Sequence, residues 1–158
     1  MGNRTPKEQE KLRRKRRAVS AENLGKKRVV SSNPDVSAYD KFFRFRFDRV
    51  DLGSDWCLTA ITKEEHRSLI TAMAEIEAMK VSELIPHRCK REDVAASSPN
   101  PDAQRRARQQ FPDDHDHIHS LRISGARRLW GLLYDNEFSV IWWDSGHEVW
   151  PTKRVYEN

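Results

Sequence analysis

The sequence predicts an α+β fold: an N-terminal strand and an amphipathic helix packed on a C-terminal antiparallel meander of three to four strands, behind a basic arm. Three observations carry this. Residues 41–50 alternate apolar and charged, residues 62–79 carry apolar positions at helical spacing, and the last third is dense with short strands broken by turn residues. Strand, helix, connection and then a run of strands is the order of a single α+β domain.

In the opening strand Phe43, Phe45 and Phe47 alternate with Arg44, Arg46 and Asp48. A period of two marks a half-buried strand. A turn at Leu52-Gly53-Ser54-Asp55 and a short extended piece over residues 56–61 follow. Thr62 then opens the best helix in the chain. Thr62 and Glu65 have the spacing of a capping box, in which each satisfies a backbone N–H at the helix start. Leu69, Ile70, Met73, Ile76 and Met79 supply a stripe to lay on a sheet. A shorter segment over residues 81–85 stops at Pro86.

Between His87 and Asp116 the pattern fails, and residues 97–101 (SSPNP) are a breaker cluster. This region reads as a long connection with one or two helical turns, one of them over residues 101–110 with Pro101 at its first position. Beyond it, residues 120–124, 128–134 and 138–143 read as strands. Gly125-Ala126 and Asp135-Asn136-Glu137 form the turns between them. A last short strand is expected over residues 147–150.

Charge is distributed unevenly. Residues 1–28 hold eleven Lys/Arg against three Glu, a balance of +8, and the chain as a whole is +5, so the remainder sits near −3. The overall pI of 9.4 is thus a property of the arm. Residues 1–36 are expected to be a largely disordered arm and linker, and residues 37–158 a single domain. Arg13, Arg14, Lys15, Arg16, Arg17, Lys26, Lys27 and Arg28 are the candidate nucleic-acid-binding residues. Blocked cations of this kind neutralise phosphates, with binding that weakens as salt rises. The arm has no apolar face to insert into a bilayer, so a membrane partner is not expected. No apolar run approaches the ~18 residues of a spanning helix, and none follows the N-terminal charges as a secretion signal would. Two cysteines, Cys57 and Cys89, are too few for a disulfide framework. A cytoplasmic protein with reduced thiols is expected.

Two further clusters bear on chemistry. His115, His117 and His119 share one face only if the chain is extended there, and no Cys lies near them in sequence. No metal and no cofactor is expected. Trp130, Trp142, Trp143 and Trp150 crowd the last strands. Trp142 and Trp143 face opposite ways on one strand. Trp130 and Trp142 are expected inside, with Trp143 or Trp150 lining a surface patch.

Arg127-Arg128-Leu129-Trp130, Asp135-Asn136-Glu137, Val140-Ile141-Trp142-Trp143 and Gly146-His147-Glu148-Val149-Trp150 follow one another in an order that resembles the C-terminal sheet of RelE/ParE-type bacterial toxins. The Phe-rich opening strand, the Trp56-Cys57-Leu58-Thr59 approach to the helix and the Trp-Trp-Asp hairpin also resemble small proteins of actinobacteria and their phages, a likeness that implies no function. The toxin likeness implies an RNA-directed protein, an mRNA interferase of a toxin–antitoxin pair, with RNA or the ribosome and a small antitoxin-like protein as partners.

Such an endoribonuclease needs a base for the 2′-OH, cations for the pentavalent phosphate and an acid for the leaving oxygen. His147, Arg122, Arg128, Lys153 and Tyr156 are the candidate catalytic residues, since they supply those types if the strands pair as read. One departure from the toxin pattern is the placement of Lys153, Arg154 and Tyr156 beyond Pro151. The alternative reading is a non-catalytic regulator of phage or host that docks on nucleic acid or protein through its arm.

Overall fold

A computed structural model describes residues 37–85, 87–113 and 118–152, and the basic arm lies outside them. At its centre is the expected meander: β3 (Ile118–Ser124), β4 (Arg127–Tyr134) and β5 (Glu137–Asp144) pair antiparallel in sequence order. The turns between them use the left-handed backbone that tight reversals require. Gly125 adopts φ 45° and Asp135 φ 58°.

The sheet is wider than the sequence suggested, and it is mixed. β1 (Arg44–Arg46) pairs parallel with β5, and β2 (Cys89–Arg91) adds antiparallel to β3, giving the order β1-β5-β4-β3-β2. The expected last strand over residues 147–150 is instead a turn, because the Asp144 carboxylate accepts the N–H groups of Glu148 (2.8 Å) and Val149 (3.0 Å). Residues 56–61 hold a single 3-10 turn, Leu58–Ala60, rather than an extended piece.

The capping box at Thr62 and Glu65 is formed, and it starts α1 (Lys63–Glu77). Leu69, Met73 and Ile76 of its stripe are buried with Ala72, whereas Ile70 stays 53 % exposed. α2 (Val81–Leu84) follows. The region read as a long connection contains β2, α3 (Val94–Ser97) and α4 (Pro101–Gln110). Asn100 caps α4, with Pro101 in the first turn, where its missing N–H costs nothing.

Both faces of the sheet are covered. On one, α1 and α2 pack with Phe43, Leu121, Ile123, Leu129, Phe138, Val140 and Trp143. On the other, α3 and α4 pack with Trp56, Ile118, Trp130, Leu132, Ile141, Trp142 and Val149. A β-bulge sets the second face: Gly131 pairs with Val140 but Trp130 pairs with Trp142, so Ile141 is the extra residue of β5. Such an insertion turns two successive side chains to one side. Ile141 and Trp142 therefore share a core, and Trp143 returns to the first face. α4 presents only Ala103 and Ala107 to this aromatic layer, which lets the helix lie close to it.

The outer edge of β1 is closed by α1. Phe45 N–H donates to Glu77 Oε1 (3.1 Å), and the Arg44 guanidinium donates to the Glu77 carbonyl. Phe47, expected to share the inner face with Phe43 and Phe45, lies past the end of β1 and is 55 % exposed.

Candidate nucleic-acid interface

The β3–β4 register places two cations face to face. Arg122 is the cross-strand partner of Arg128, and Arg128 is in turn the partner of Asp144 on β5. Arg122 N–H also donates to the Arg88 carbonyl (2.9 Å), which extends the row to the residue just ahead of β2. Three arginines and one aspartate thus cross four adjacent strands at one end of the sheet. Directly opposed side chains lie about 5 Å apart at Cβ, and like charges in such a pair are mutually destabilising.

Three arginines elsewhere pair with carboxylates, Arg46 with Asp48 and Glu137, Arg105 with Asp102 and Arg106 with Asp51, whereas Arg44 and Arg108 donate to backbone carbonyls. Among the described residues, Arg88, Arg122 and Arg128 form no ion pair. Arg128 donates from Nη1 to the carbonyls of Gly125 (2.9 Å) and Arg127 (3.3 Å). Arg88 donates from Nε to the Arg122 carbonyl (2.7 Å) and from Nη2 to the Ile123 carbonyl (3.2 Å). Arg122 is exposed, and its side chain makes no hydrogen bond among the described residues.

Burial first, and then the charge of Arg122, press the Arg128 pKa below the ordinary arginine value, with Asp144 opposing them. A guanidinium remains cationic under such pressure. Asp144 is buried and already committed, since it also accepts the Trp130 indole N–H (3.3 Å) alongside the two backbone amides of its turn. The local surplus of positive charge is therefore not neutralised by Asp144.

His147 sits in that turn, three residues beyond Asp144. It has φ 62°, an unusual conformation for a residue other than glycine. Its Nδ1 is enclosed without a hydrogen-bond partner, so proton exchange with a ligand falls to Nε2. The turn is held from outside by the caps of α3 and α4 and by Trp56 from the segment ahead of α1: Ser98 Oγ donates to the Val149 carbonyl, Asn100 Nδ2 donates to the Glu148 carbonyl, and Trp56 Nε1 donates to Glu148 Oε2.

Of the candidate catalytic residues, Arg122, Arg128 and His147 belong to this end of the fold, whereas Lys153 and Tyr156 lie outside the described residues. So do all the candidate arm residues, Arg13 to Arg17 and Lys26 to Arg28, as well as His115 and His117. Among the described residues no group of three His, Cys, Asp or Glu side chains is arranged to hold a metal ion. No helix described is long and apolar enough to cross a membrane. The expected surface patch at Trp143 is corrected: Trp143 is 5 % exposed and belongs to the α1 core, because the bulge before it returns it to that face. Trp150 is half-buried against the other core.

Sequence reasoning missed Arg88 and Asp144. Arg88 lies in a polar run without strand periodicity, and only the pairing of β2 with β3 reveals its place in the row. No family model, curated protein or solved structure matches this chain.

Proposed function

We propose that this is a toxin-like, RNA-directed protein that meets the phosphate backbone at the Arg122–Arg128 end of its sheet, with His147 as the candidate proton acceptor. The observation that carries this reading is the opposed Arg122–Arg128 pair with no carboxylate bridging it. Arg128 has Asp144 opposite it on β5, but on its other side it faces Arg122, and like charges so opposed are mutually destabilising. Guanidinium groups are suited to phosphate oxygens, with which they form paired charge-assisted hydrogen bonds.

In an RNA-cleaving role, His147 Nε2 takes the proton of the 2′-OH, and the 2′-oxygen bonds to the adjacent phosphorus as its bond to the 5′-oxygen breaks. The departing 5′-oxygen takes a proton from water, and Arg122 and Arg128 stabilise the charge that develops on the phosphate. The test is induced expression of the full chain in a bacterial host, with RNA binding measured in parallel. Growth arrest relieved by Arg128→Ala and by His147→Ala, with RNA binding weakened by Arg122→Ala and Arg128→Ala, is the expected result. Unaffected growth with arginine-dependent RNA binding means a non-catalytic binding module. RNA binding indifferent to both arginines overturns the proposal.

A further inference from the structure

We infer that Arg88 is a third phosphate-binding residue, and that Arg88, Arg122 and Arg128 together grip the backbone of one RNA strand without reading its bases. This rests on the RNA-directed reading above and adds to it a residue and a mode of recognition. Both outer members of the row are oriented by neutral carbonyls. Arg88 is held by Arg122 and Ile123 (2.7 and 3.2 Å), and Arg128 by Gly125 (2.9 Å). The Arg122 carbonyl faces the β2 side, as its N–H does, and is left over there because the Arg88 N–H donates instead to the Leu84 carbonyl (2.7 Å).

A carbonyl anchor fixes the plane of a guanidinium but leaves its charge intact, unlike a carboxylate anchor. Each group also retains N–H donors, since arginine carries five. Arg122, between them, is exposed and unanchored. Adjacent strands lie about 4.8 Å apart, so the backbone positions of the row span roughly 10 Å.

Base recognition in single-stranded RNA relies on rings that stack on unpaired bases. At this end Trp130 and Trp143 are 2 % and 5 % exposed and Trp142 is fully buried, so their faces are not offered; Trp150 is half-buried against the α4 core, and His147 is the proposed proton acceptor. Affinity here comes from charge, not from sequence.

The experiment follows fluorescence anisotropy of the full chain with single-stranded uridine and adenosine dodecamers, from about 50 to 200 mM salt. Each phosphate contact contributes about 0.7 to the slope of log affinity against log salt for a single strand. Arg88→Gln, Arg122→Ala and Arg128→Ala are each expected to lower the slope by about 0.7 and to weaken both dodecamers equally. Should Arg122→Ala and Arg128→Ala lower it while Arg88→Gln does not, Arg88 is a strut only; this inference fails and the RNA-directed reading stands. Should none of the three lower it, the RNA-directed reading fails with it. A more than tenfold preference for one dodecamer overturns the base-blind mode. If Arg88→Gln does not fold, Arg88→Lys keeps the charge without the fork and is expected to retain the slope. Its loss there overturns the inference.

Discussion

Asp51 and Arg106, 55 positions apart, meet through two hydrogen bonds: Nε to Oδ2 at 2.7 Å and Nη2 to Oδ1 at 2.5 Å. Oδ2 also accepts the Trp142 indole N–H (3.0 Å), and Oδ1 accepts Gly53 N–H (3.2 Å). One buried carboxylate thus ties the loop after β1 to α4 and to the centre of β5. Breaking a buried pair from one side strands the other charge at a cost of about 3–5 kcal/mol. Arg106 retains some solvent access, its side chain being 27 % exposed, so Asp51→Ala is expected at the lower end, about 3 kcal/mol, in urea unfolding.

The same carboxylate gives the protein an acid limb. Burial alone raises the Asp51 pKa, but hydrogen bonds from Arg106 and Trp142 and the Arg106 charge outweigh it and hold the group below the ordinary aspartate value. A depressed carboxyl contributes stability that is present above its unfolded pKa, about 3.9, and lost as pH falls through the lower folded value. The stability gap between wild type and Asp51→Asn is therefore expected to be widest near neutral pH and to shrink below about pH 4. Urea midpoints at both ends of that range check it, and a gap independent of pH refutes it.

Gly131 marks the bulge on β4. A Cβ there would meet the Ser139 carbonyl and lie 2.5 Å from the Phe138 ring, so backbone and a buried aromatic would both have to yield. Gly131→Ala is expected to cost about 3 kcal/mol, at the upper end of ordinary overpacking. A thermal melt unchanged by the substitution would show that the bulge can slide.

His147 offers a clean separation of stability from function. Its φ of 62° is costly for any side chain and free for glycine. His147→Gly is therefore expected to be more stable than His147→Ala by about 1 kcal/mol. If His147 takes the proton of a 2′-OH, both variants lose growth arrest alike despite their different melting points. Arrest that tracks melting temperature instead would make His147 a turn residue and nothing more.

Local patterns were legible in the sequence, and pairings across distance were not. The capping box at Thr62, the Pro101 start of α4, the turns at Gly125 and Asp135 and the opposed faces of Trp142 and Trp143 all depend on neighbours within a few positions. β1 joining β5 in parallel, β2 joining β3 and the Asp51–Arg106 pair depend on registers that no local period encodes. The bulge at Ile141 shows the limit most sharply. It alters the facing of one residue in a strand whose period is otherwise two, and with it the expected surface position of Trp143. At the candidate interface, Arg122, Arg128 and His147 could be named from residue type. Arg88 could not, because its relevance is created entirely by the strand pairing.

The central claim is that the Arg88–Arg122–Arg128 end of the sheet meets RNA backbone. Backbone amide shifts of the isotope-labelled full chain, titrated with a short single-stranded RNA, test it most directly. The account predicts the largest shifts at residues 87–90, 122–128 and 144–148, fading as salt is raised. Shifts confined to residues 1–36, or centred on the exposed side of α1 around Ile70, would contradict it.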